Sequence, residues 1–321
     1  MKLEFSIIIP VYNRPREINE LLDSIMVQDF EDDFEVLVVE DGSSQTSEEI
    51  CNGFIDKINL KYFFKENTGA GKSRNYGMEK ASGNYFIILD SDVILPKTYL
   101  KSVKEQLTQK FTDAFGGPDA AHSSFSKLQK AINYSMTSFL TTGGIRGKKN
   151  GVGKFQLRSF NLGISQRAFK KTNGFSDMKI AEDIDLTFRL WEAGFETQLI
   201  TDAFVYHKRR TSLSQFLKQT YQFGKARPKL NQKYPGSGEI TFWFPSLFLI
   251  GFDISILLAF FGEFTGLGIY YLYFLVVFLD AAFVNGIRVG ILAIITTFTQ
   301  FLGYGYGFLE SVFGLDKSNW E

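Results

Sequence analysis

Residues 85–92 read YFIILDSD, and this stretch indicates the fold. Five apolar residues are followed at once by Asp90 and Asp92, two carboxylates on either side of a serine. A short, continuous apolar run is typical of a strand that is buried on both faces of a parallel sheet. Polar groups directly after such a strand lie at its carboxyl end, where open α/β sheets bind ligands. Two carboxylates in that position can share one divalent cation such as Mg²⁺ or Mn²⁺.

Strands and helices alternate on the amino-terminal side of this stretch. Apolar runs predict further strands over residues 3–9, 34–39 and 60–64. Helical spacing of apolar residues predicts a helix after the first strand, with Asn13 as its N-cap, and another over residues 70–81. Strands separated by helices predict a parallel sheet with right-handed crossovers.

Three predicted strands deliver polar residues to one edge of this sheet. The strands end in residues 10–14 (PVYNR), 40–44 (EDGSS) and 90–92 (DSD). Any one of these is also an ordinary turn sequence, but three strand ends in register favour a ligand site. Residues 67–77 (NTGAGKSRNYG) add a small-residue helix start of the kind that binds anions. Their spacing matches neither a Walker A loop nor a dinucleotide-binding glycine motif.

The second half of the chain contains a different acidic pair. Glu182 and Asp183 begin a predicted helix, where acidic residues are favoured by the helix dipole alone. A carboxylate in that position can also act as a general base that takes a hydroxyl proton. The basic loop at residues 148–154 (KKNGVGK) is interpreted as solvated, with closure over a bound phosphate as the minor alternative.

Taken together, these motifs resemble glycosyltransferase family 2, whose members are inverting sugar transferases of the GT-A fold. The resemblance covers roughly residues 3–230 and implies a mixed sheet flanked by helices. It implies a catalytic domain over residues 1–207, with a nucleotide-sugar half (1–118) and an acceptor half (119–207). The motifs that carry it are SIIIPVYNR (6–14), VVEDGSSQTS (38–47), ENTGAGKSRNYGMEKASGNYFIILDSD (66–92) and AEDIDLTFRLWEAGF (181–195).

The resemblance implies a nucleotide-diphosphate sugar as donor, with a UDP-sugar favoured. Asp41 would hydrogen-bond the nucleotide base, as it does for uracil in relatives that use uridine donors. By position, the residues that would line the donor pocket are Pro10, Tyr12, Arg14, Asp41, Gly71, Arg74 and Asp90.

The resemblance also implies a metal site and a catalytic base. Asp92 would bind Mn²⁺ or Mg²⁺ between the diphosphate oxygens, and Asp90 would contact the ribose or the metal. A late histidine completes the metal site in several related enzymes, and His207 has that position, although a lone histidine is usually structural. Asp183 would be the general base. Glu182 would position the acceptor or tune Asp183 by like-charge proximity.

The acceptor follows less directly. Residues 187–191 read TFRLW in place of the Gln-x-x-Arg-Trp pattern of processive polysaccharide synthases, which favours one sugar per encounter. We expect a lipid-linked or other glycan acceptor in cell-envelope polysaccharide biosynthesis. A polyprenyl-phosphate sugar synthase is the alternative within the class, although VIL at residues 93–95 counts against it. A degenerate, membrane-tethered sugar-nucleotide-binding protein is the alternative from another class.

Charge divides the chain at residue 240. Residues 1–240 carry 33 basic and 29 acidic residues, whereas residues 241–321 carry 2 basic and 6 acidic residues. Residues 208–233 contain eight Lys or Arg and no acid, with apolar residues at helical spacing. This pattern predicts a helix on an anionic membrane surface over residues 208–240, with an ordinary surface helix as the alternative.

The last segment is apolar enough to enter a bilayer. Residues 242–261, 266–285 and 289–308 each have about the ~20 residues that a crossing needs. We expect a membrane domain over residues 241–321 with two to three transmembrane helices. The positive-inside rule predicts a multi-pass protein of the cytoplasmic (inner) membrane whose catalytic domain faces the cytoplasm.

Composition excludes several other classes. One cysteine (Cys51) and two histidines exclude a disulfide framework, a Cys-based zinc site and a His-rich metal cluster. A formal net charge of zero gives no electrostatic footprint for nucleic acid. The opening MKLEFSIIIP, with an acidic residue and a short apolar run, does not match an export signal. Nothing in the sequence indicates an oligomeric state.

Overall fold

The computed structural model describes residues 2–143 and 155–315, so the basic loop predicted at residues 148–154 lies outside it. The described chain forms two compact units. The first unit comprises residues 2–122 and 155–208, and the second comprises residues 123–143 and 209–315.

Ten strands lie in the first unit. They are β1 (Phe5–Val11), β2 (Phe34–Asp41), β3 (Leu60–Lys65), β4 (Tyr85–Leu89), β5 (Val93–Ile94), β6 (Ala114–Gly116), β7 (Asp119–Ala120), β8 (Asn161–Ser165), β9 (Thr197–Leu199) and β10 (Val205–His207). Seven of them form one sheet in the order β3-β2-β1-β4-β8-β6-β9. The first four run parallel, and β8 runs antiparallel to both of its neighbours, so the sheet is mixed.

The strands predicted around residues 85–92 are confirmed. Every residue of β1 and β4 is buried, which is the burial expected for continuous apolar strands covered on both faces. Ile7 of β1 pairs with Val36 of β2 on one side and Ile87 of β4 on the other. This register brings the carboxyl ends of β1, β2 and β4 to a single edge.

Twelve α-helices are described. They are α1 (Pro15–Met26), α2 (Glu48–Asn52), α3 (Ala70–Lys80), α4 (Tyr99–Gln109), α5 (Lys127–Thr137), α6 (Phe139–Thr142), α7 (Gln166–Thr172), α8 (Glu182–Glu192), α9 (Leu213–Lys233), α10 (Phe244–Ala259), α11 (Thr265–Asn285) and α12 (Ile287–Val312). A 3₁₀ turn, Ile240–Trp243, leads directly into α10.

The helix start after β1 differs from the prediction. Helix α1 begins at Pro15, and Arg14 rather than Asn13 occupies the N-cap position. Asn13 adopts a left-handed backbone (φ 53°), and its side chain bonds to the loop after β2 instead of to α1. The prediction of Asn13 as the N-cap was therefore wrong.

A second, three-stranded sheet has the order β5-β10-β7. Strand β10 pairs antiparallel with β5, so that His207 lies opposite Val93. On its other side β10 runs parallel to β7, and Val205 lies opposite Asp119. This small sheet therefore brings His207 close to the aspartates that follow β4, which lie more than a hundred positions earlier in the sequence.

The second unit is helical, and α12 packs against α9, α5, α11 and α10. Helices α5 and α6 belong to this unit, although the sequence-based division grouped residues 119–207 with the catalytic domain. Three segments of the unit are long and apolar enough to cross a membrane: Ile240–Ala259, Thr265–Asn285 and Ile287–Val312. The three predicted apolar stretches are thus helices, as expected.

Candidate active site

Asp90 and Asp92 follow β4 at the edge where the parallel strands end. Asp90 accepts a hydrogen bond from Arg74 at 2.7 Å, and Asp92 forms an ion pair with Arg14. Asp92 is 12% exposed and Asp90 is 28% exposed, so both carboxylates lie at the mouth of the site. Arg14 lies in the loop after β1, so its ion pair with Asp92 connects the carboxyl end of β1 to that of β4.

His207 joins this pair because β10 pairs with β5. Its Nε2 atom lies 3.3 Å from Asp92 Oδ1, and its ring stacks on Phe160 with 4.7 Å between centroids. On the other side, Nδ1 lies 4.0 Å from Asp119 Oδ2. One ligand atom from each of Asp90, Asp92 and His207 lies within 4.8 Å of the other two.

The chemistry of these three residues fits a divalent cation. Two carboxylates and one imidazole offer hard oxygen ligands and one nitrogen, a set that Mn²⁺ and Mg²⁺ accept. Asp92 Oδ1 and His207 Nδ1 are buried and have no hydrogen-bond partner within residues 2–143 and 155–315. Burial alone would raise the pKa of Asp92, but His207 and Arg14 outweigh burial and hold that pKa well below its usual range. The Asp92 carboxyl is therefore an anion, with Arg14 on one oxygen and His207 Nε2 beside the other.

The loop after β2 is held in place by Asn13. The side-chain oxygen of Asn13 accepts hydrogen bonds from the backbone N–H groups of Ser44 (2.9 Å) and Gln45 (3.0 Å), and Asn13 N–H donates to Ser43 Oγ (2.7 Å). Asparagine tolerates the left-handed backbone that this arrangement requires. Tyr12 remains 53% exposed beside this loop, so its ring is available to a ligand.

Asp41 ends β2 and is buried. Its carboxylate accepts the backbone N–H groups of Thr68 and Gly69, each at 2.9 Å, and an ion pair from Lys65. Burial would raise the pKa of Asp41, but the hydrogen bonds from Lys65 and Thr68 outweigh burial and lower the pKa. Asp41 thus orients the loop that leads into α3, whatever else it contacts.

Arg74 links the two acidic motifs of the sequence. Its buried guanidinium donates to Asp90 at 2.7 Å and to Glu182 at 2.8 Å, and it lies over the Phe175 ring at 5.1 Å. Burial raises the pKa of Glu182 to about 7, with Arg74 opposing that rise and Asp183 adding to it. Both pairs are desolvated, so each carboxylate depends on Arg74 for its charge balance.

Gly71 explains how α3 and α8 approach each other. A Cβ atom at Gly71 would lie 3.4 Å from both Phe175 Cβ and Ser176 O, and 3.8 Å from Glu182 Cγ. The first turn of α3 therefore lies against the chain that leads into α8.

Asp183 lies in the first turn of α8, and the helix begins directly after a strained residue. Ala181 has φ 63°, a left-handed conformation that costs energy for a residue with a Cβ atom. Asp183 Oδ2 accepts the Ser159 N–H at 3.1 Å, and Oδ1 accepts the Ile184 N–H at 2.8 Å. Within the described residues no Lys or Arg forms an ion pair with Asp183. Its carboxylate is oriented by backbone donors and is only partly buried.

Comparison with known proteins identifies the family. The sequence profile of glycosyl transferase family 2 matches residues 6–172, which is more than half of the chain. The chain belongs to glycosyl transferase family 2.

Relatives of this glycosyltransferase support the same assignment. The poly(ribitol-phosphate) β-N-acetylglucosaminyltransferase TarS of Staphylococcus aureus is 36% identical over 114 residues, 35% of this chain and 20% of TarS. The glycosyltransferase GlyG of Streptococcus pneumoniae is 32% identical over 114 residues, 35% of this chain and 38% of GlyG. The chain thus spans a fifth of the length of one relative and less than two fifths of the other.

Solved structures show the GT-A fold. A mannosyltransferase from Pyrobaculum calidifontis, in complex with GDP-Man and Mn²⁺, has a TM-score of 0.68 at 15% identity. That alignment covers 98% of this chain and 89% of the mannosyltransferase, so it includes the carboxy-terminal helices. Residues 1–349 of S. aureus TarS with UDP-GlcNAc give a TM-score of 0.51 at 20% identity, covering 97% of this chain and 92% of that one.

The sequence-based site residues of this glycosyltransferase meet in two groups. One group surrounds Asp92 and contains Arg14, Asp90 and His207. The other joins Glu182 to Asp90 through Arg74. Pro10 lies buried within β1, and its predicted contact with the nucleotide base stays a prediction, as do the other assigned roles.

Three residues of the site region were not predicted. Asn13 orients the loop after β2, and Asp119 lies behind His207. Glu40 is fully buried and accepts the Ser47 N–H at 2.8 Å, which fixes the same loop from inside. In the sequence, Glu40 is an acidic residue in an otherwise mostly apolar strand, immediately before Asp41. This break in the apolar pattern could have indicated that Glu40 has a structural role in the site.

Proposed function

We propose that the protein is a membrane-anchored, inverting glycosyltransferase that moves a sugar from a nucleotide-diphosphate donor to a lipid-linked or glycan acceptor. The observation that carries the proposal is the cluster of Asp90, Asp92 and His207 at the carboxyl edge of the sheet. The open edge of an α/β sheet is where such folds bind nucleotides. The family assignment supports glycosyl transfer as the reaction.

Asp92 and His207 hold a divalent cation, Mn²⁺ or Mg²⁺, with Asp90 as the third ligand. When bound, such a cation neutralises the negative charge that builds on a departing diphosphate. Asp119 Oδ2 lies 4.0 Å from His207 Nδ1, on the side where a metal-binding histidine usually has a carboxylate behind it. Arg14, which pairs with Asp92, provides a positive charge beside this cluster that a diphosphate would also attract.

Asp183 is the general base. In an inverting transfer the acceptor hydroxyl oxygen forms a bond to the anomeric carbon while the bond from that carbon to the diphosphate oxygen breaks. The hydroxyl proton passes to a carboxylate, and Asp183 is oriented by two backbone donors and free of a paired cation in the described part of the chain. Glu182, with its pKa raised to about 7, positions the acceptor beside it.

A UDP-sugar is the favoured donor. Asp41 and the exposed ring of Tyr12 flank the loop that Asn13 organises, and this pocket takes the nucleotide base. The TarS structure contains UDP-GlcNAc, whereas the mannosyltransferase structure contains GDP-Man. The identity of the nucleotide base therefore has to be determined by a direct screen of donors.

A lipid-linked acceptor agrees with the second unit. Three apolar helices and the basic helix α9 suit attachment to an anionic membrane surface, with the catalytic unit on the cytoplasmic side. Between α9 and α12 lies an open groove of about 380 Å³, lined mainly by apolar side chains. Its residues are Ser214, Leu217, Lys218, Tyr221, Leu302, Gly303 and Tyr306. A groove of this kind suits the apolar chain of a lipid whose anionic head lies near Lys218.

Purified full-length protein, radiolabelled donors and a membrane lipid extract test the proposal. We expect Mn²⁺- or Mg²⁺-dependent transfer that EDTA abolishes, and strong loss of transfer in Asp92→Asn. The control is Asp56→Asn, an exposed aspartate in a loop of the same unit, which should keep full activity. Donor binding without transfer to any lipid or glycan would favour the degenerate binding protein instead.

A polyprenyl-phosphate sugar synthase is the second candidate. The likeness to the Pyrobaculum mannosyltransferase, at 15% identity over 98% of this chain, shows a shared fold and fits either candidate. The same assay separates the two reactions. Transfer to polyprenyl phosphate alone would support the second candidate, and transfer to a sugar-bearing lipid would support the first.

A further inference from the structure

Helices α10 and α12 run in opposite directions where they touch. As residue numbers rise along α10, the numbers of their partners on α12 fall. The hydroxyl of Ser246 donates to Gly305 O at 3.0 Å, which fixes one point of this register. The aromatic pairs, with centroid distances, are Trp243 with Phe308 (4.9 Å), Phe248 with Phe301 (4.8 Å) and Phe252 with Phe298 (5.5 Å).

Helix α11 is also antiparallel to both of these helices. Against α10, the contacts run from Phe248 with Phe274 (5.9 Å) to Phe252 with Tyr270 (5.1 Å) and then Ser255 at Gly266. Against α12, they run from Tyr273 with Phe301 (6.3 Å) to Phe274 with Phe298 (6.4 Å) and then Phe278 at Gly290. In each of the three pairs the contact residue numbers therefore run in opposite directions, which three helices can combine only if their axes cross obliquely.

Three consecutive membrane crossings cannot have this arrangement. Successive crossings alternate in direction, so the first and third must run the same way. Helices α10 and α12 run opposite ways in direct contact. At least one of the three apolar helices therefore does not cross the bilayer, although each is long enough to do so.

The neighbours of α12 indicate which helix it is. Helix α9 runs parallel to the carboxy-terminal half of α12, with Leu217 at Gly303 and Tyr221 at Gly307. Lys225 follows at 4.0 Å from Glu310. Basic residues flank α9 at both ends and recur along it: Arg209, Arg210, Lys218, Lys225, Arg227, Lys229 and Lys233. Arg209, Lys225 and Arg227 are buried within the protein, and a helix that carries this many charges lies on a membrane surface rather than through it.

Helix α5 covers the earlier part of α12. Ser135 Oγ lies 2.6 Å from Thr296 Oγ1, and Gln129 donates to the Arg209 carbonyl oxygen at 2.9 Å. The polar helices α5 and α9 thus pack against α12 from about Ala293 to Glu310. Exposed apolar side chains are most numerous on α10, α11 and their connection, where Phe260 and Phe261 are more than 80% exposed. Helix α12 has a smaller exposed apolar set: Ile287, Ile291, Ile295, Leu302 and Tyr306.

We infer that residues 240–315 enter and leave the bilayer on the same face. Helix α12 lies along that face with α9 and α5, and α10 and α11 form the layer that contacts lipid. Both ends of α12, near Asn285 and Leu315, then face the side of the membrane that holds the catalytic unit. The inference depends on helix directions and on residence in a membrane, and it is independent of the transfer reaction.

Cysteine labelling tests this topology. Cys51 is buried and is the single cysteine of the chain, so Cys51→Ser gives a cysteine-free background. Single cysteines at exposed positions Asp56, Asn285 and Leu315 are treated with a membrane-impermeant maleimide in right-side-out and inside-out vesicles. We expect Asn285→Cys and Leu315→Cys to label only in the preparation that labels Asp56→Cys.

Every other pattern overturns the inference. If all three helices cross the bilayer, Leu315→Cys should label in the vesicle preparation that does not label Asp56→Cys. If only α11 and α12 cross, as a hairpin, Asn285→Cys should label in that preparation. A site that labels only after detergent lies within lipid and is equally incompatible. Arg288→Cys and Phe313→Cys, also exposed, replace any variant that does not accumulate in the membrane. Loss of transfer activity in these variants would bear on the proposed enzyme, not on the side of labelling.

Discussion

The two compact units of the protein stabilise buried polar groups in different ways. In the first unit, buried charges form ion pairs, as Arg74 does with Asp90 and Glu182. In the second, neutral hydroxyls dominate, as between Ser135 and Thr296, and the acid Asp280 accepts a hydrogen bond from the Tyr134 hydroxyl at 2.6 Å. Charges can be maintained where water reaches the edge of a sheet, whereas a unit built from apolar helices favours neutral partners and close helix packing.

Glycine residues allow the helices of the second unit to pack closely. Gly224 of α9 faces the backbone of α12, and a Cβ atom there would lie 2.1 Å from Tyr304 O. Gly303 and Gly307 provide the complementary space on α12. Small residues let helices approach closely enough for dispersion and hydroxyl contacts to stabilise their packing. The following predictions test whether charge in the first unit and close packing in the second have these separate roles.

The largest expected effect is on catalysis. Asp183→Asn keeps the shape of the side chain but removes the base, so we expect transfer to fall by roughly 10²–10⁴-fold. Donor affinity, measured by calorimetry with Mn²⁺, should stay unchanged because Asp183 is not part of the cluster formed by Asp90, Asp92 and His207. Asp177→Asn, an exposed aspartate of the same unit, is the control. Equal loss of donor binding and transfer would contradict the role as base.

The next effect is on the stability of the first unit. Arg74→Met removes a buried cation that two partly buried carboxylates share, and breaking a buried ion pair costs about 3–5 kcal/mol. We expect a lower denaturation midpoint that acid partly restores, since a protonated Glu182 no longer needs the cation. Lys72→Met on the same helix removes an exposed pair with Asp177 and should change stability little. Equal midpoints for the two variants would show that the buried bridge is unimportant.

Glu35 gives a pH-dependent version of the same contrast. Burial would raise the pKa of Glu35, but hydrogen bonds from Lys61, Ser6 and Ser82 outweigh burial and lower the pKa to about 2. A folded-state pKa below the unfolded value of 4.5 gives stability that is complete above about pH 5. It is lost as the pH falls toward 2, and amounts to at most about 3 kcal/mol.

Glu35→Gln should therefore unfold at lower denaturant at pH 7 and show a flatter acid profile than the parent chain. Glu49→Gln, an exposed residue of α2, serves as the reference. Denaturant midpoints between pH 3 and pH 7 provide the measurement. Parallel acid profiles for Glu35→Gln and the parent would exclude the Glu35 network as a source of acid sensitivity.

The smallest effect concerns helix packing. Gly224→Ala places a methyl group against the α12 backbone, and overpacking of this kind costs about 1–3 kcal/mol. Gly268→Ala in α11 meets no atom within 4 Å and should be neutral or slightly stabilising. Thermal unfolding in detergent compares the two. A stable Gly224→Ala variant would mean that α9 and α12 separate easily, which would weaken the contrast between the units.

Much of the first unit could be predicted from the sequence. Residues 85–92 identify β4 and its aspartates because a continuous apolar run has few structural alternatives when it ends in charged residues. The helix at Ala70–Lys80 and the acidic start of α8 follow in the same way from local pattern. Asn13 was misinterpreted because the same residue type suits an N-cap and a left-handed turn, and only the loop after β2 decides between them.

The sequence by itself determined the family, the positions of the acidic motifs and the presence of three apolar segments, since these depend on local composition and spacing. Tertiary structure alone decided that His207 lies beside Asp92, that Arg74 joins Asp90 to Glu182, and that α10 opposes α12. Each of these depends on strand register or helix direction, which contacts between distant segments specify. Hydrophobic length indicates that a helix can enter a membrane, but the packing of its neighbours determines how it lies there.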